Sequence, residues 1–482
     1  MNAAQKTVRN ASLVLIQRGI YIVTTFLFAF FVPRMMGPNH YGQFALLYSL
    51  SFLFSMLSDF GLTQVMGRYI PQFNLQGEIE NSKKLLNSFL MLGLISGSLA
   101  AGLYLIITYF WLKDIHFLSL ITMAIIVLIR SLTFPLFSLF LGLNQAARWG
   151  SRDVLGRLLS IPLLILFFYL GGLPGACLGL LLTEGFILFL GVWWGRSYLS
   201  RAYMHLDLQF LYPYLQFGLL FFISHLTYTA LQHSGGVLVR TLNPDYTQVS
   251  YFELAQKIFL TASFAYPQFS LSFVPHMTML LKRGRTETLK QWIEQLLRWL
   301  TVAGVVITFS FLIFSKDLVR LILGKAYLPV ATNLLPLSFV FFFLALGSVS
   351  NLLALVYEKP KVTLASSILR LAAFWGLGFP LIAFWGSFGG CLALLIASIF
   401  YSGYLTWRIQ VHFPYSLRRW IFAMGSGAFF LPLLWFRSSL PVNLVLFSFF
   451  LIGYMVILFL FRIITWSEIR TLGQTIASGI TR

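Results

Sequence analysis

Residues 175–181 read Gly-Ala-Cys-Leu-Gly-Leu-Leu, and residues 389–395 read Gly-Gly-Cys-Leu-Ala-Leu-Leu. The two cysteines of the chain, Cys177 and Cys391, lie 214 residues apart and hold the same place in one phrase. A second echo sets Arg34-Met35-Met36-Gly37-Pro38 against Arg240-Thr241-Leu242-Asn243-Pro244, at an offset of 206. Two long halves with the same layout point to an internal duplication.

The solvent of these halves follows from composition. Of 482 residues, 58% are hydrophobic and 10% charged, with a mean hydropathy of +0.82. That is more apolar surface than a water-soluble globule can hide. Apolar runs of roughly 20 residues, the length that crosses a bilayer as helix, occur at 11–32, 41–60, 85–110, 117–140, 153–171, 174–195, 214–235, 249–279, 292–314, 329–350, 363–384, 387–407, 420–436 and 441–463. They show no period-two alternation, so helices fit and a β-barrel does not. The expected fold class is an all-α polytopic membrane protein with about 14 transmembrane helices.

Orientation comes from the cations. With the N-terminus in the cytoplasm, 23 of the 34 Lys and Arg fall on the inside, seven on the outside, and Arg130, Lys257, Arg298 and Arg370 within spans. This satisfies the positive-inside rule and puts both termini on the cytoplasmic side of the cell's inner (plasma) membrane. The net charge of +20 is largely this bias, with anionic headgroups as its partner. No basic patch interleaved with stacking aromatics is present, so nucleic acid is not an expected partner.

Other readings are excluded by short-range pattern. Pro33-Arg34 follows the first apolar run where small residues would mark a cleavage site, so that run reads as a span rather than a removed signal peptide. The cysteines lack metal-ligand spacing and read as small packing residues. No Gly-Lys-Ser/Thr phosphate loop occurs, which removes an ATP-driven pump within this chain. The organisation then reads as an N-lobe at 1–213 (segments 1–6), a C-lobe at 214–408 (segments 7–12), and a pair of helices with a cytoplasmic tail at 409–482. A repeat with an even number of spans keeps its topology, so two pseudo-symmetric six-helix bundles around a central cavity are expected, the architecture of a transporter.

Several phrases resemble a known family. Gly37–Leu62 (GPNHYGQFALLYSLSFLFSMLSDFGL) with Gly67–Pro71 (GRYIP) is similar to the start of polysaccharide, O-antigen and teichoic-acid flippases. Ser250–Ile258 (SYFELAQKI), Val274–Leu280 (VPHMTML), Leu321–Leu337 (LILGKAYLPVATNLLPL) and Leu352–Lys361 (LLALVYEKPK) resemble its second half. The resemblance implies the multidrug, oligosaccharidyl-lipid and polysaccharide exporter superfamily. It implies movement of an undecaprenyl-diphosphate-linked oligosaccharide from the cytoplasmic to the outer leaflet. Membrane lipids and polysaccharide polymerase or assembly proteins are the further partners of such a role.

Charges inside spans mark where such a cargo would bind, because an ionisable group at bilayer depth costs roughly 2.5–3.5 kcal/mol unless it faces a wet interior. Arg18, Arg130, Arg298 and Arg370 each fall on the order of 10 Å inside the cytoplasmic boundary at 1.5 Å per residue. A belt of guanidiniums suits a pyrophosphate, whose oxygens match the planar fork; snorkelling to lipid headgroups is the bland alternative. Polar stripes at helical spacing, Gln17, Tyr21, Thr24 and Thr25 on segment 1 and Ser224, His225, Tyr228 and Gln232 on segment 7, are expected to line the cavity. Helix–helix hydrogen bonding is their alternative. Glu184 lies near the midplane of segment 6, where a carboxylate could exchange H+ or hold Na+. Glu253 precedes Lys257 by four residues, the order that favours an ion pair on one face. No catalytic residue, resident cofactor or metal site is expected. A multidrug or cation exporter of the same fold would want acid-rich walls, and a polyprenyl-linked membrane glycosyltransferase would want an outside loop with paired carboxylates; this chain favours neither.

The topology is directly testable. In a chain whose two native cysteines are replaced, Asn144→Cys and Lys361→Cys should react with a membrane-impermeant thiol reagent only from the cytoplasm, and Asp245→Cys and Lys316→Cys only from outside. Labelling of Asn144→Cys from outside would overturn the orientation.

Overall fold

A computed structural model describes residues 3–435 and 439–460, with side chains from Gln17 onward except those of Arg18, Tyr21, Ile22 and Arg419. Among the described residues the regular structure is helical throughout. The order is α1 (Ala3–Met56), α2 (Leu62–Leu75), α3 (Ile79–Trp111), α4 (Phe117–Gly142), α5 (Ala146–Gly195), α6 (Leu208–Leu242), α7 (Tyr246–Ser263), α8 (Ala265–Ser272), α9 (Val274–Lys282), α10 (Thr286–Ile322), α11 (Leu328–Val356), α12 (Pro360–Gln410), α13 (Arg418–Gly425), a 3₁₀ stretch (Ser426–Leu434) and α14 (Leu440–Leu460).

Among the described residues the apolar runs fall largely on helix, but runs and helices do not correspond one to one. Helices α1, α5 and α12 each carry two runs, joined at Gly37, at Gly171-Gly172 and at Gly386, where the backbone leaves the helical region. The run at 249–279 is instead divided among α7, α8 and α9. Eight helices among the described residues are long and apolar enough to cross a membrane, so fourteen spans is an approximate count. Helix α3 shows how the lipid is met: Leu99, Leu103, Ile106 and Phe110 are exposed at helical spacing, while Ala100, Tyr104 and Thr108 on the opposite face are buried. The protein is a multi-pass membrane protein.

The duplication is written into the backbone. Gly172 (φ 59°, ψ −141°) and Gly386 (φ 55°, ψ −135°) share one conformation, lie 214 residues apart, and turn α5 and α12 back on themselves. Three residues on, a Cβ at Gly175 would strike the Phe167 carbonyl and one at Gly389 the Leu381 carbonyl, again at a spacing of 214. Asn144 (φ 55°) and Glu358 (φ 54°) form matching left-handed turns at the same offset, whereas Gly77 and Gly284 match at 207. The change of seven residues is absorbed by α10 and α11, which run to 37 and 29 residues where α3 and α4 have 33 and 26.

By packing, the chain forms two compact units, Met1–Leu254 and Ala255–Arg482. This division falls later than the repeat boundary at 213/214 because α6 packs on α1 and α2. Gly61 and Gly218 meet backbone to backbone, each lacking room for a Cβ against the other's segment. Asp207 caps α6, accepting from the Phe210 N–H at 2.9 Å and pairing with Lys84 at 2.9 Å; the lysine first and then the capping N–H hold its carboxyl below the usual range. The first unit has a core of Leu62, Val65 and Met66 with Leu86, Phe89 and Leu139. In the second, Phe430 and Tyr454 pack with Val305 and Phe309, which fixes the last helices to α10.

The paired glycine turns yield a stability prediction. Only glycine adopts these angles without strain, so Gly172→Ala and Gly386→Ala should each cost about 1–3 kcal/mol, read as a lower melting temperature of the detergent-solubilised protein. Unchanged melting in both would remove the requirement.

Candidate functional site

In the first unit, one guanidinium organises the interior. Arg130, in the middle of α4, has a side chain only 1% exposed. Its Nε donates to Glu184 Oε1 at 2.8 Å, and Nη2 lies 2.8 Å from the same oxygen without hydrogen-bond alignment. Nη1 donates to Ser51 Oγ at 2.9 Å. The guanidinium carbon also sits 4.0 Å from the Phe52 ring centre and 5.2 Å from that of Tyr48, a cation–π contact with two aromatics of α1. Glu184 comes from the returning half of α5, brought alongside by the turn at Gly172. Three helices that are apolar almost throughout thus meet at one ion pair.

Beside the pair lies a cavity of about 170 Å³. Arg152, Asp153 and Arg157 on α5 project into it together with Arg130 and Glu184, and Phe28, Tyr48 and Phe52 supply aromatic walls. Arg152 lies 4.4 Å over the Phe134 ring and has no hydrogen bond or ion pair among the described residues. Arg157 stands 5.0 Å over the Phe28 ring. Three guanidiniums against two carboxylates leave the wall net positive.

A second polar cluster lies on another face of α1. Ser49 Oγ donates to Glu253 Oε1 at 3.1 Å, His233 Nδ1 is 3.4 Å from Ser49 Oγ, and the His233 ring stacks on Phe52 at 4.7 Å. Farther along, His225 Nδ1 meets the buried Asp59 Oδ2 at 3.1 Å.

The residues singled out in the sequence fall as follows. Arg130 and Glu184, read there as a cargo ligand and an ion carrier, are partners of one another. Gln17 Nε2 donates to the Ala147 carbonyl at 2.9 Å, tying α1 to the start of α5. Thr25 Oγ1 is buried with no hydrogen-bond partner among the described residues. Arg18 and Tyr21 have side chains outside the described residues. His225 pairs with Asp59, Tyr228 is exposed and Gln232 half-buried. Glu253 is the penultimate residue of the first unit, and Lys257 lies in the second. Also in the second unit, Arg298 is buried, and Arg370 Nη2 donates to Ser398 Oγ at 2.9 Å beneath the Tyr401 ring. Arg152 and Arg157 belong to the 23 cations that the topology places on the inside, and Asp153 is not among the residues the sequence singles out. In the 214-residue register shared by the two hairpins Arg157 corresponds to Leu371, so the repeat does not mark it.

That register also separates what the fold needs from what the site adds. Glu184 corresponds at 214 to Ser398, and α11, the counterpart of α4, contains no charged residue at all. The second repeat therefore builds the same hairpins without an Arg130–Glu184 pair. The pair belongs to the cavity and is not demanded by the architecture.

The sequence profile of the polysaccharide biosynthesis protein family matches residues 3–281. The chain belongs to that family. The match takes in the first unit from residue 3 onward, with its cavity. No curated protein matches the chain. A solved multidrug resistance MATE family transporter of the MOP superfamily, in an inward-facing conformation, aligns with a TM-score of 0.69 at 16% identity, over 83% of this chain and 98% of that one. The lipid II flippase MurJ, in an inward closed conformation, aligns with a TM-score of 0.67 at 12% identity, over 95% of this chain and all of its own. A mutant of the Vibrio cholerae MATE transporter VcmN gives 0.54 at 16% identity, over 85% and 98%. At these identities the likeness establishes the fold, that of the MOP-superfamily transporters.

The ion pair generates a stability test. Arg130→Ala strips Glu184 of its counter-charge inside the bundle and should cost about 3–5 kcal/mol, whereas the double change Arg130→Leu with Glu184→Leu should recover most of that loss. Melting of the purified variants in detergent measures both. A double variant no more stable than Arg130→Ala would contradict the account.

Proposed function

We propose that this member of the polysaccharide biosynthesis family is a flippase. It carries a polyprenyl-diphosphate-linked oligosaccharide from the cytoplasmic to the outer leaflet of the inner membrane by alternating access, for cell-surface polysaccharide assembly. The observation that carries this reading is the cationic cavity in the first unit. Arginines placed in an apolar bundle, one of them without a protein partner among the described residues, suit the oxygen-rich polar headgroup of a glycan-bearing lipid, whose oxygens accept from guanidiniums. The same wall disfavours a cationic drug, because a like charge roughly 4 Å away costs several kcal/mol when poorly screened. The likeness to a lipid II flippase supports the cargo class, and the cation distribution supports cytoplasmic termini. Glu184 and Glu253 are the acids proposed for coupling to H+ or Na+; the first answers a guanidinium and the second accepts from the Ser49 hydroxyl.

Cells carrying Arg152→Ala or Arg157→Ala should accumulate lipid-linked oligosaccharide on the cytoplasmic face while the protein stays in the membrane. Lysine at either position should restore export only in part, since an ammonium lacks the bidentate fork. The Arg18→Ala variant is expected to behave alike. Full export in all three alanine variants would remove the arginines from the cargo path.

A further inference from the structure

Acids in the cavity wall decide which part of the cargo enters it. Glu184 Oε2 and both oxygens of Asp153 have no protein donor among the described residues, and both side chains line the cavity. A pocket for a diphosphate alone would not face it with two carboxylates, since each such repulsion is worth several kcal/mol at short range. A cation is disfavoured from the other side, because Arg130 already occupies the near edge of Glu184 and Arg152 and Arg157 face the same space. What satisfies the wall is a neutral group that both donates and accepts over a compact volume. Sugar hydroxyls donate to the free carboxylate oxygens and accept from the guanidiniums, and the C–H face of the ring packs on Tyr48 and Phe52. The volume, about 170 Å³, equals some five or six waters at ~30 Å³ each, the scale of one sugar ring.

We infer that this cavity is a saccharide subsite that takes one sugar unit of the cargo, with Glu184 and Asp153 as hydroxyl acceptors. The inference rests on the flippase reading and refines it. The second repeat adds independent support: it has Ser398 at the place of Glu184 and no counterpart of Arg130, so this polar wall was elaborated in one half only. The polar wall is therefore not needed to build the hairpin itself.

The probe is the free oligosaccharide released by mild acid from the lipid-linked intermediate of the producing cells, titrated calorimetrically into the purified protein. Wild-type protein should bind it. Asp153→Asn, an exposed side chain with no partner among the described residues, keeps the fold intact and should weaken binding severalfold; Glu184→Gln should weaken it about tenfold or more, the loss of a charge-assisted hydrogen bond. Inorganic pyrophosphate should not displace the oligosaccharide. Unchanged binding in both variants, displacement by pyrophosphate, or a requirement for Na+ that both variants abolish would each overturn the subsite. A flipping assay in vesicles separates the two readings. Failure of the wild type to move lipid-linked oligosaccharide would sink the flippase reading itself. Transport by the wild type, with oligosaccharide binding indifferent to both substitutions, would sink the saccharide subsite alone.

Discussion

Hydrocarbon offers no hydrogen bonds, and that one constraint runs through the whole molecule. Backbone groups at bilayer depth must be satisfied within their own helix, which is why the described residues are helical nearly throughout and why α5 and α12 reverse at no more than one or two glycines. The same constraint bears on side chains. A guanidinium buried in such a medium needs its counter-charge delivered by the fold, and Arg130 receives Glu184 only because α5 turns sharply enough at Gly172 to bring its second half back beside α4. The backbone solution and the charge solution are one piece of geometry.

Duplication supplies a comparison internal to the chain. Two copies of one hairpin agree in backbone angle at Gly172 and Gly386 and in the close approaches at Gly175 and Gly389, yet differ in what they enclose. Where one copy holds an ion pair and an open polar cavity, the other holds an arginine bonded to a serine hydroxyl. Architecture was copied and chemistry diverged, so the residues that differ locate the specialised half without any further sequence.

Much of the fold was legible because the free energy of placing a side chain in lipid adds up along the chain, and runs of Leu, Phe and Ala declare themselves. The cysteine phrases disclosed the repeat for the same local reason. Asn144 and Glu358 did not, because their shared left-handed turn is a property of the backbone and the two side chains have nothing in common. Arg130 and Glu184 were both conspicuous as charges inside apolar runs. Their union was invisible, since two residues 54 apart meet only through the register of α4 against α5. Arg152 and Arg157 were hidden by position: at the start of an apolar run a cation satisfies the topology rule, and that sufficient explanation masked their place in the cavity wall.

The glycine turns carry a practical consequence for anyone handling this protein. A reversal made by one or two residues has no slack, so the hairpins within α5 and α12 leave nothing for a protease to grip and no place to graft an epitope or a fluorescent reporter. The longer connections, between α5 and α6 (196–207) and between α12 and α13 (411–417), are where a foreign sequence can be accommodated.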